Sequence, residues 1–175
     1  MEKGMDTYLR FIIPSGAILF GLLIFESQTG YIAKKIILPL KYRVLNTWIP
    51  YIKQYATKYG IDPNFVAAIM YQESGGNPQA ISSVGALGLM QIMPTTGAGV
   101  CGYSPDKLKN AIYNIDCGVK YLADIYKTYK DYKWVAAGYY GGPGTAPTAT
   151  KGKPPVYQYV NEVMVHYENI RKSIA

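Results

Sequence analysis

The chain has 175 residues, a size typical of a single domain, and its 49% hydrophobic content excludes an intrinsically disordered protein. One His and two Cys are too few for a His-rich metal site or a zinc finger, and the sequence contains neither a P-loop nor a dinucleotide-binding glycine motif. The net charge is +7, but the basic residues are scattered among 18 Tyr, which argues against a nucleic-acid partner. We therefore expect no metal and no organic cofactor.

An apolar run near the N-terminus predicts a membrane anchor. Residues 11–25 read FIIPSGAILFGLLIF and carry no charge, and together with Tyr8 and Leu9 they approach the length that spans a bilayer. We expect a transmembrane or signal-anchor segment within residues 1–30 that contacts the lipid bilayer through residues 8–25. A cleaved signal peptide and a buried core helix are the alternative interpretations, but no small-residue cleavage site follows the run.

Residues 31–45 combine bulky apolar residues with four basic residues, which are Lys34, Lys35, Lys41 and Arg43. This pattern predicts a basic, apolar linker that either packs on the following domain or lies on anionic lipid. By the positive-inside rule, the same basic residues would keep the C-terminal side of the anchor in the cytoplasm. That orientation conflicts with the function that the rest of the chain indicates.

Helix signals recur through residues 46–175, which we expect to form one mainly α-helical domain without convincing strands. Asn46 or Thr47 is expected to cap a first helix that ends at Tyr59, before Gly60. Later helices are expected to begin at Ser104–Pro105 and to cover residues 111–129, 134–140 and 156–172.

Asp62 followed by Pro63 is a strong start signal for a helix that ends at Gly75. Glu73 is therefore expected in the last turn of a helix whose body is apolar. A carboxylate there meets an unfavourable helix dipole, and burial among apolar and Tyr side chains would raise its pKa. A raised pKa suits a general acid that works near neutral pH. The alternative is an exposed glutamate without a function.

Cys101 and Cys117 lie sixteen positions apart. In an exported domain they are expected to pair in a disulfide, whereas in a cytosolic protein two free thiols would be expected. The pairing expected from the sequence therefore depends on the compartment.

The segment from Glu73 to Thr96 reads ESGGNPQAISSVGALGLMQIMPTT. It resembles the motif of the soluble lytic transglycosylases, a family of lysozyme-like enzymes that cleave murein. Two further blocks, Asn114–Leu122 and Ala137–Gly144, are similar to that family, and Tyr159–Val160 matches its terminal Tyr–Val pair. The resemblance covers about residues 47–170. It implies a mainly α-helical, lysozyme-like transglycosylase domain.

The resemblance implies that Glu73 is the sole catalytic acid and base. The residues that it places around the substrate are Ser74 and Ser82 near the glutamate, Met90 and Gln91 along the sugar groove, Tyr139 at the reacting subsite, and Tyr140. Two positions depart from the family pattern: Tyr140 replaces an Asn, and Pro155 replaces a Glu that is often found near the start of the last helix. Because Tyr140 could still stack on a sugar ring, we expect altered substrate contacts rather than an inactive protein.

A lone acid fits the chemistry that the resemblance implies. Ordinary glycosidases need two carboxylates across the scissile bond, and no second acid accompanies Glu73 within its motif. We expect a peptidoglycan lytic transglycosylase that cleaves the β-1,4 bond between MurNAc and GlcNAc without water. The acetamido group of the substrate would assist, and the product would carry a 1,6-anhydro-MurNAc end.

Two alternatives keep the same fold. A goose-type lysozyme would use Glu73 with water as the acceptor, and a catalytically impaired murein-binding protein would serve in assembly. The expected partners are peptidoglycan glycan strands and the lipid bilayer, with the catalytic domain in the periplasm or cell-wall space, or in a virion membrane. Such an enzyme would open the wall locally for a secretion or conjugation machine, or for phage genome entry or exit.

Overall fold

The computed structural model describes residues 40–150 and 155–174. Within them, a compact unit begins at Lys41. The anchor expected within residues 1–30 and most of the linker expected at 31–45 lie outside the described residues. Among the helices that the structure does describe, none is both long enough and apolar enough to cross a membrane.

Helices account for almost all regular structure of the described residues. The five longer ones are α1 (Ile49–Tyr59), α2 (Pro63–Ser74), α5 (Ala111–Tyr129), α6 (Tyr132–Gly141) and α7 (Val156–Ile174). Two short helices, α3 (Pro94–Thr96) and α4 (Pro105–Leu108), lie between α2 and α5. A 3-10 turn over Arg43–Leu45 precedes α1, and a π-helical turn over Gly97–Cys101 follows α3.

Side-chain caps and glycines set the ends of α2. The Asp62 carboxylate accepts a hydrogen bond from the backbone N–H of Asn64 at 2.8 Å, and Pro63 occupies the first turn. Gly75 ends the helix in the left-handed conformation, with φ +60°. The predicted start and end of this helix are therefore confirmed, and Glu73 lies in its last turn.

Two helix starts differ from those expected. Trp48, not Asn46 or Thr47, precedes α1, and no side chain caps that helix. Helix α6 begins at Tyr132, before the expected residue 134. Its earlier start has a local cause, because the Asp131 carboxylate accepts hydrogen bonds from the backbone N–H groups of Lys133 and Trp134.

Helix α2 is the centre of the core. Six consecutive residues from Phe65 to Met70 are fully buried, so the helix is covered on all sides rather than along one stripe. It packs against α1 and α7, while α5 packs against α1 and α6, and α6 also contacts α7. The last turn of α2 is thereby held by the surrounding helices.

The residues before α1 belong to the core. Tyr42 and Leu45 are buried, and the Tyr42 hydroxyl hydrogen-bonds Nδ1 of His166 on α7 at 3.1 Å. Trp48 donates its indole N–H to the carbonyl oxygen of Gly76 at 3.0 Å. The compact unit therefore starts at Lys41, earlier than the expected boundary at residue 46, because apolar side chains of the linker pack on the domain.

The chain between α2 and α3 forms no regular element. Two isolated antiparallel bridges, Ile81 with Leu87 and Leu87 with Ile92, fold it back on itself. The buried side chain of Asn114 on α5 fastens this segment, since its Oδ1 accepts from the backbone N–H of Met90 and its Nδ2 donates to the carbonyl oxygen of Leu87. This segment is therefore positioned by α5.

Cys101 and Cys117 are joined by a disulfide that connects the π-helical turn to α5. Lys120, one turn further along α5, donates a hydrogen bond to the carbonyl oxygen of Val100. Two contacts thus fix this turn against the helix that also holds the segment after Glu73.

Candidate active site

Glu73 combines partial exposure with a desolvated carboxylate. Burial raises the pKa of Glu73 from 4.5 to about 7, which outweighs the opposite effect of a hydrogen bond from Tyr159. That bond joins the Tyr159 hydroxyl to Glu73 Oε1 at 2.5 Å. A carboxyl group with a pKa near 7 exchanges its proton readily at neutral pH, so it can serve as both acid and base.

Two phenols, one buried and one partly buried, lie near this carboxyl group. Tyr159 reaches it from α7 and is only 3% exposed. Tyr139 comes from α6 and donates its hydroxyl to the carbonyl oxygen of Met90 at 2.6 Å. Burial raises the pKa of both phenols well above the usual value, and the nearby charge of Glu73 raises it further. Both hydroxyls therefore stay protonated and act as donors.

Further tyrosines extend this aromatic lining. Tyr140 stacks on Tyr159 with ring centroids 4.6 Å apart and an angle of 23° between the planes. Tyr121 on α5 packs on Tyr139 at 5.4 Å. Tyr159 and Tyr139 are therefore the rings that interact with Glu73, and Tyr140 and Tyr121 pack against them.

Ser74, expected near the glutamate as a substrate-binding residue, makes backbone contacts. Its hydroxyl donates to the carbonyl oxygen of Leu89 at 2.7 Å and accepts from the backbone N–H of Gly76 at 3.1 Å. These bonds join the end of α2 to the segment that follows it. In the structure, Ser74 links two parts of the site framework.

Ser82 and Gln91 also bind backbone groups. The Ser82 hydroxyl accepts from the backbone N–H of Ala86 at 2.9 Å, which closes a tight turn. Gln91 adopts a left-handed conformation with φ +47°, and its side-chain amide donates to the carbonyl oxygens of Gly88 and Ala80. Both side chains are partly exposed, and both shape the segment opposite Glu73.

The side chain of Met90 differs from its expected place along the sugar groove. It is fully buried and packs against Gly118 of α5, where an added Cβ would lie 2.7 Å from its own Cβ. The family resemblance implies a place along the groove, but the apolar side chain is buried in the core. Its backbone carbonyl oxygen is the part that reaches the site, through Tyr139.

Two positioning contacts involve residues outside the expected site. Tyr159 belongs to the terminal Tyr–Val pair of the family pattern, and Asn114 belongs to one of its helix blocks. A buried Asn within an apolar helix face is a usable signal, since such an amide must find partners. The Tyr159–Glu73 bond has no local signal, because 86 positions separate the two residues.

Three other acids of the domain are hydrogen-bonded to neighbouring groups. Asp62 caps the far end of α2, so about 16 Å of helix separates it from Glu73. Asp116 accepts from Lys58, Tyr59 and Tyr103. The Glu162 carboxylate accepts hydrogen bonds from the side chains of Gln72 and Gln158.

A metal site is not formed by the part of the chain that the structure describes. No group of three or more His, Cys, Asp or Glu side chains there could hold an ion. The chemistry supported by this arrangement is proton transfer at Glu73 beside donor hydroxyls.

A comparison with known protein families matches the part of the chain that contains Glu73. The family model described as "Transglycosylase SLT domain" matches residues 50–155. This span covers α1, except its first residue, through α6 and therefore includes Glu73, Gln91 and Tyr139. Tyr159 lies beyond it.

Individual relatives are similar over part of their length. The chain is 40% identical over 92 residues to the "Membrane-bound lytic murein transglycosylase C" of Histophilus somni, a match that covers 48% of this chain and 25% of that protein. It is 36% identical over 109 residues to the "Transglycosylase" of Enterobacteria phage PRD1, covering 61% and 39% of the two chains.

A solved structure shares the fold. The lytic transglycosylase Slt from Pseudomonas aeruginosa, solved as an inactive mutant, superposes with a TM-score of 0.61 at 25% identity. The match covers 71% of this chain and 24% of that one. The chain thus spans less than half the length of each of these three proteins. Because the family model covers more than half of the chain and includes its desolvated glutamate, this protein belongs to the Transglycosylase SLT domain family.

Proposed function

We propose that the protein is a peptidoglycan lytic transglycosylase, with Glu73 as its sole catalytic acid and base. The observation that carries this proposal is the Glu73 carboxyl group at the end of α2, which accepts the Tyr159 hydroxyl and whose pKa burial raises to about 7. The names of the relatives, which include lytic murein transglycosylases, support the same activity. The substrate is the murein glycan strand.

In the first step, the protonated Glu73 gives its proton to the oxygen of the β-1,4 bond that follows MurNAc. The C1–O bond breaks as the proton arrives, so that the GlcNAc side leaves as an alcohol. Positive charge develops at C1 of MurNAc. The acetamido oxygen of the same sugar stabilises it, which replaces the second carboxylate of ordinary glycosidases.

In the second step, the ionised Glu73 removes the proton from the 6-hydroxyl of MurNAc. The freed oxygen bonds to C1 and displaces the acetamido oxygen, which closes the 1,6-anhydro ring. Glu73 ends the cycle protonated, as it began, and no water is consumed. The Tyr159 bond to Oε1 stabilises the ionised form that exists between the two steps.

The test is digestion of purified murein by the full chain, with mass spectrometry of the sugar ends. Anhydro ends that disappear with Glu73→Gln are the expected result. Glu168→Gln, a carboxylate change on the outer part of α7 that removes an ion pair with Arg171, is the matched control and should leave the products unchanged. A folded wild-type protein that releases no product would contradict the proposal and favour a non-catalytic murein-binding role.

A hydrolytic, lysozyme-type reaction is the second candidate because of the position of Glu162. This residue follows Tyr159 by one turn of α7, so the two side chains share a helix face. Both of its oxygens accept bonds from amide side chains, Gln72 at 2.8 Å and Gln158 at 3.1 Å. Reducing ends that require both Glu73 and Glu162 would establish water activation by Glu162.

We also propose that residues 8–25 anchor the protein in a membrane, with the catalytic domain in the periplasm or cell-wall space or in a virion membrane. The uncharged run of the sequence and the membrane-bound relatives support this location. The Cys101–Cys117 disulfide suits an oxidising compartment. Fractionation with protease protection tests it, and a protease-protected domain on the cytoplasmic side would contradict it.

The proposed cellular role is local opening of the wall, for a secretion or conjugation machine or for phage genome passage. The similarity to a phage transglycosylase supports a viral role, and the similarity to bacterial enzymes supports the others. Wall lesions can be counted in cells that produce the wild-type protein and in cells that produce Glu73→Gln. The comparison tests whether cleavage stays local.

A further inference from the structure

Tyr140 occupies the last turn of α6, where it follows the flanking residue Tyr139. The two adjacent tyrosines serve different neighbours. Tyr139 reaches Met90 and Tyr121, whereas Tyr140 stacks on Tyr159 of α7. Tyr140 therefore contacts Tyr159, the residue that donates a hydrogen bond to the Glu73 carboxyl group.

The contact between the two rings is close and nearly parallel. The centroids lie 4.6 Å apart with an angle of 23°, a geometry in which one ring covers the face of the other. Tyr159 is almost fully buried and donates to Glu73 Oε1. Rotation of the Tyr159 ring about its Cβ–Cγ bond would require movement of the ring stacked on it. Because a phenol O–H bond lies in the ring plane, the stack restrains the direction in which the Tyr159 hydroxyl donates.

Close contacts with the turn that follows hold the end of α6 in place, so the position of Tyr140 is restrained. The Cα of Gly141 lies against Thr145, where an added Cβ would meet Thr145 Cγ2 at 2.7 Å. The backbone N–H of Thr145 donates to the carbonyl oxygen of Gly142 at 3.2 Å. This tight turn sets the position of Tyr140 directly before it.

We propose that Tyr140 is a positioning residue for catalysis, whose ring holds Tyr159 in the orientation that donates to Glu73. This inference rests on the proposed function. It assigns Tyr140 a role beyond that expected from the resemblance, in which the ring would stack on a sugar, because one face of the ring covers Tyr159.

Tyr159 on α7 and Tyr139 on α6 are the side chains whose pKa responds to the charge of Glu73. Burial raises the pKa of both phenols, so neither carries a charge at neutral pH. Changes at Tyr140 therefore act on Glu73 through ring position and solvent access rather than through charge.

The test measures kcat and KM of the full chain on soluble murein fragments of defined length. Tyr140→Asn removes the ring and is expected to lower kcat about threefold to tenfold, with KM within about twofold of wild type. Tyr140→Phe keeps the ring and should retain kcat within about twofold. A rise in KM with unchanged kcat would instead assign Tyr140 to substrate binding alone and overturn the proposal, as would a Phe variant as slow as the Asn variant.

A double-mutant cycle tests whether Tyr140 affects kcat through the Tyr159 hydroxyl. In a Tyr159→Phe background no hydroxyl remains to be positioned, so Tyr140→Asn should lower kcat by less than about twofold. An equal loss in both backgrounds would mean a general structural effect and would overturn the proposal. Tyr140→Leu, which keeps apolar cover without a flat ring, repeats the measurement if the Asn variant melts below the assay temperature, and the same kcat loss is expected.

Two failures are distinguishable in this experiment. If the wild-type protein forms no anhydro ends, the proposed function is wrong. If the wild type forms them and Tyr140→Asn leaves kcat unchanged, only the positioning role is wrong.

Discussion

The hydroxyl of Tyr159 donates to Glu73 Oε1 at 2.5 Å, which joins the last helix of the domain to the end of α2. Burial and this bond act on the carboxyl group in opposite directions. Burial raises the pKa of Glu73, and the bond lowers it by stabilising the ionised form. The pKa of about 7 results from these two opposing effects, so a change in burial or loss of the bond would shift it.

Tyr159→Phe should raise the pKa of Glu73, because the bond that lowers it is lost while the ring still excludes water. As a general acid, Glu73 must be protonated, so activity falls as the pH rises through its pKa. We expect the alkaline limb of kcat/KM to move to higher pH and kcat at neutral pH to fall about tenfold. The pH–rate profile measures both effects.

Tyr157→Phe is the matched control for that change, since Tyr157 lies on the same helix and is 47% exposed. Its profile should coincide with that of the wild type. An unshifted limb in Tyr159→Phe would show that the hydrogen bond does not set the pKa of Glu73.

Glu73→Gln should stabilise the folded protein at alkaline pH. A carboxyl group whose pKa is raised on folding favours the folded state when protonated, so stability is lost as pH rises from 4.5 to about 7. Above that range the ionised form costs about 3 kcal/mol, because each pKa unit corresponds to roughly 1.4 kcal/mol. The amide carries no charge and avoids this cost.

Chemical denaturation of Glu73→Gln and wild type at pH 4 and pH 8 measures the difference. The variant should be more stable by up to about 3 kcal/mol at pH 8 and similar at pH 4. Glu168→Gln, with a side chain that is 43% exposed, should show no comparable gain. Equal stabilities of Glu73→Gln and wild type at both pH values would contradict a desolvated Glu73.

Gly88→Ala should destabilise the segment after Glu73. Gly88 has φ +71°, and a Cβ there would lie 2.7 Å from Nδ2 of Asn114, whose amide fastens the segment to α5. We expect a loss of about 3 kcal/mol or more in unfolding free energy, since strain adds to a disturbed buried hydrogen bond. Activity should fall as well, because Gln91 follows within the same turn.

Gly60→Ala provides the comparison for that prediction. Gly60 has nearly the same φ, +72°, but no atom lies within 4 Å of the added Cβ. Its cost should be that of the left-handed conformation alone, about 1 kcal/mol. Equal melting temperatures for the two variants would indicate that the contact with Asn114 does not affect stability.

Removal of the disulfide by Cys101→Ala with Cys117→Ala should lower the unfolding free energy by about 3 kcal/mol, as expected for a loop of this length. Thermal unfolding with and without a reducing agent measures the effect. The wild-type melting temperature should fall on reduction, whereas that of the double variant should not change. A wild-type protein that is insensitive to reductant under conditions that release both thiols would refute this contribution.

The sequence by itself determined the helical domain and the place of Glu73. Both are local properties: Asp62 and Pro63 start α2, Gly75 ends it, and the apolar residues between them require burial. The motif after Glu73 identified the family, because its glycines and polar residues are needed at fixed spacing for a tight segment. The starts of α1 and α6 were less well predicted, because no side chain caps α1 and because the Asp131 cap begins α6 two residues before the expected start.

Only the tertiary structure decided which groups touch the Glu73 carboxyl group. Tyr159 lies 86 positions from Glu73, and Asn114 lies 24 positions from Met90, so no helical period relates them. The burial of Met90 was decided in the same way, by the missing side chain of Gly118 on a different helix. Such contacts depend on how helices pack. Helix packing places residues by the shape of whole surfaces, whereas sequence patterns report only neighbours within a few turns.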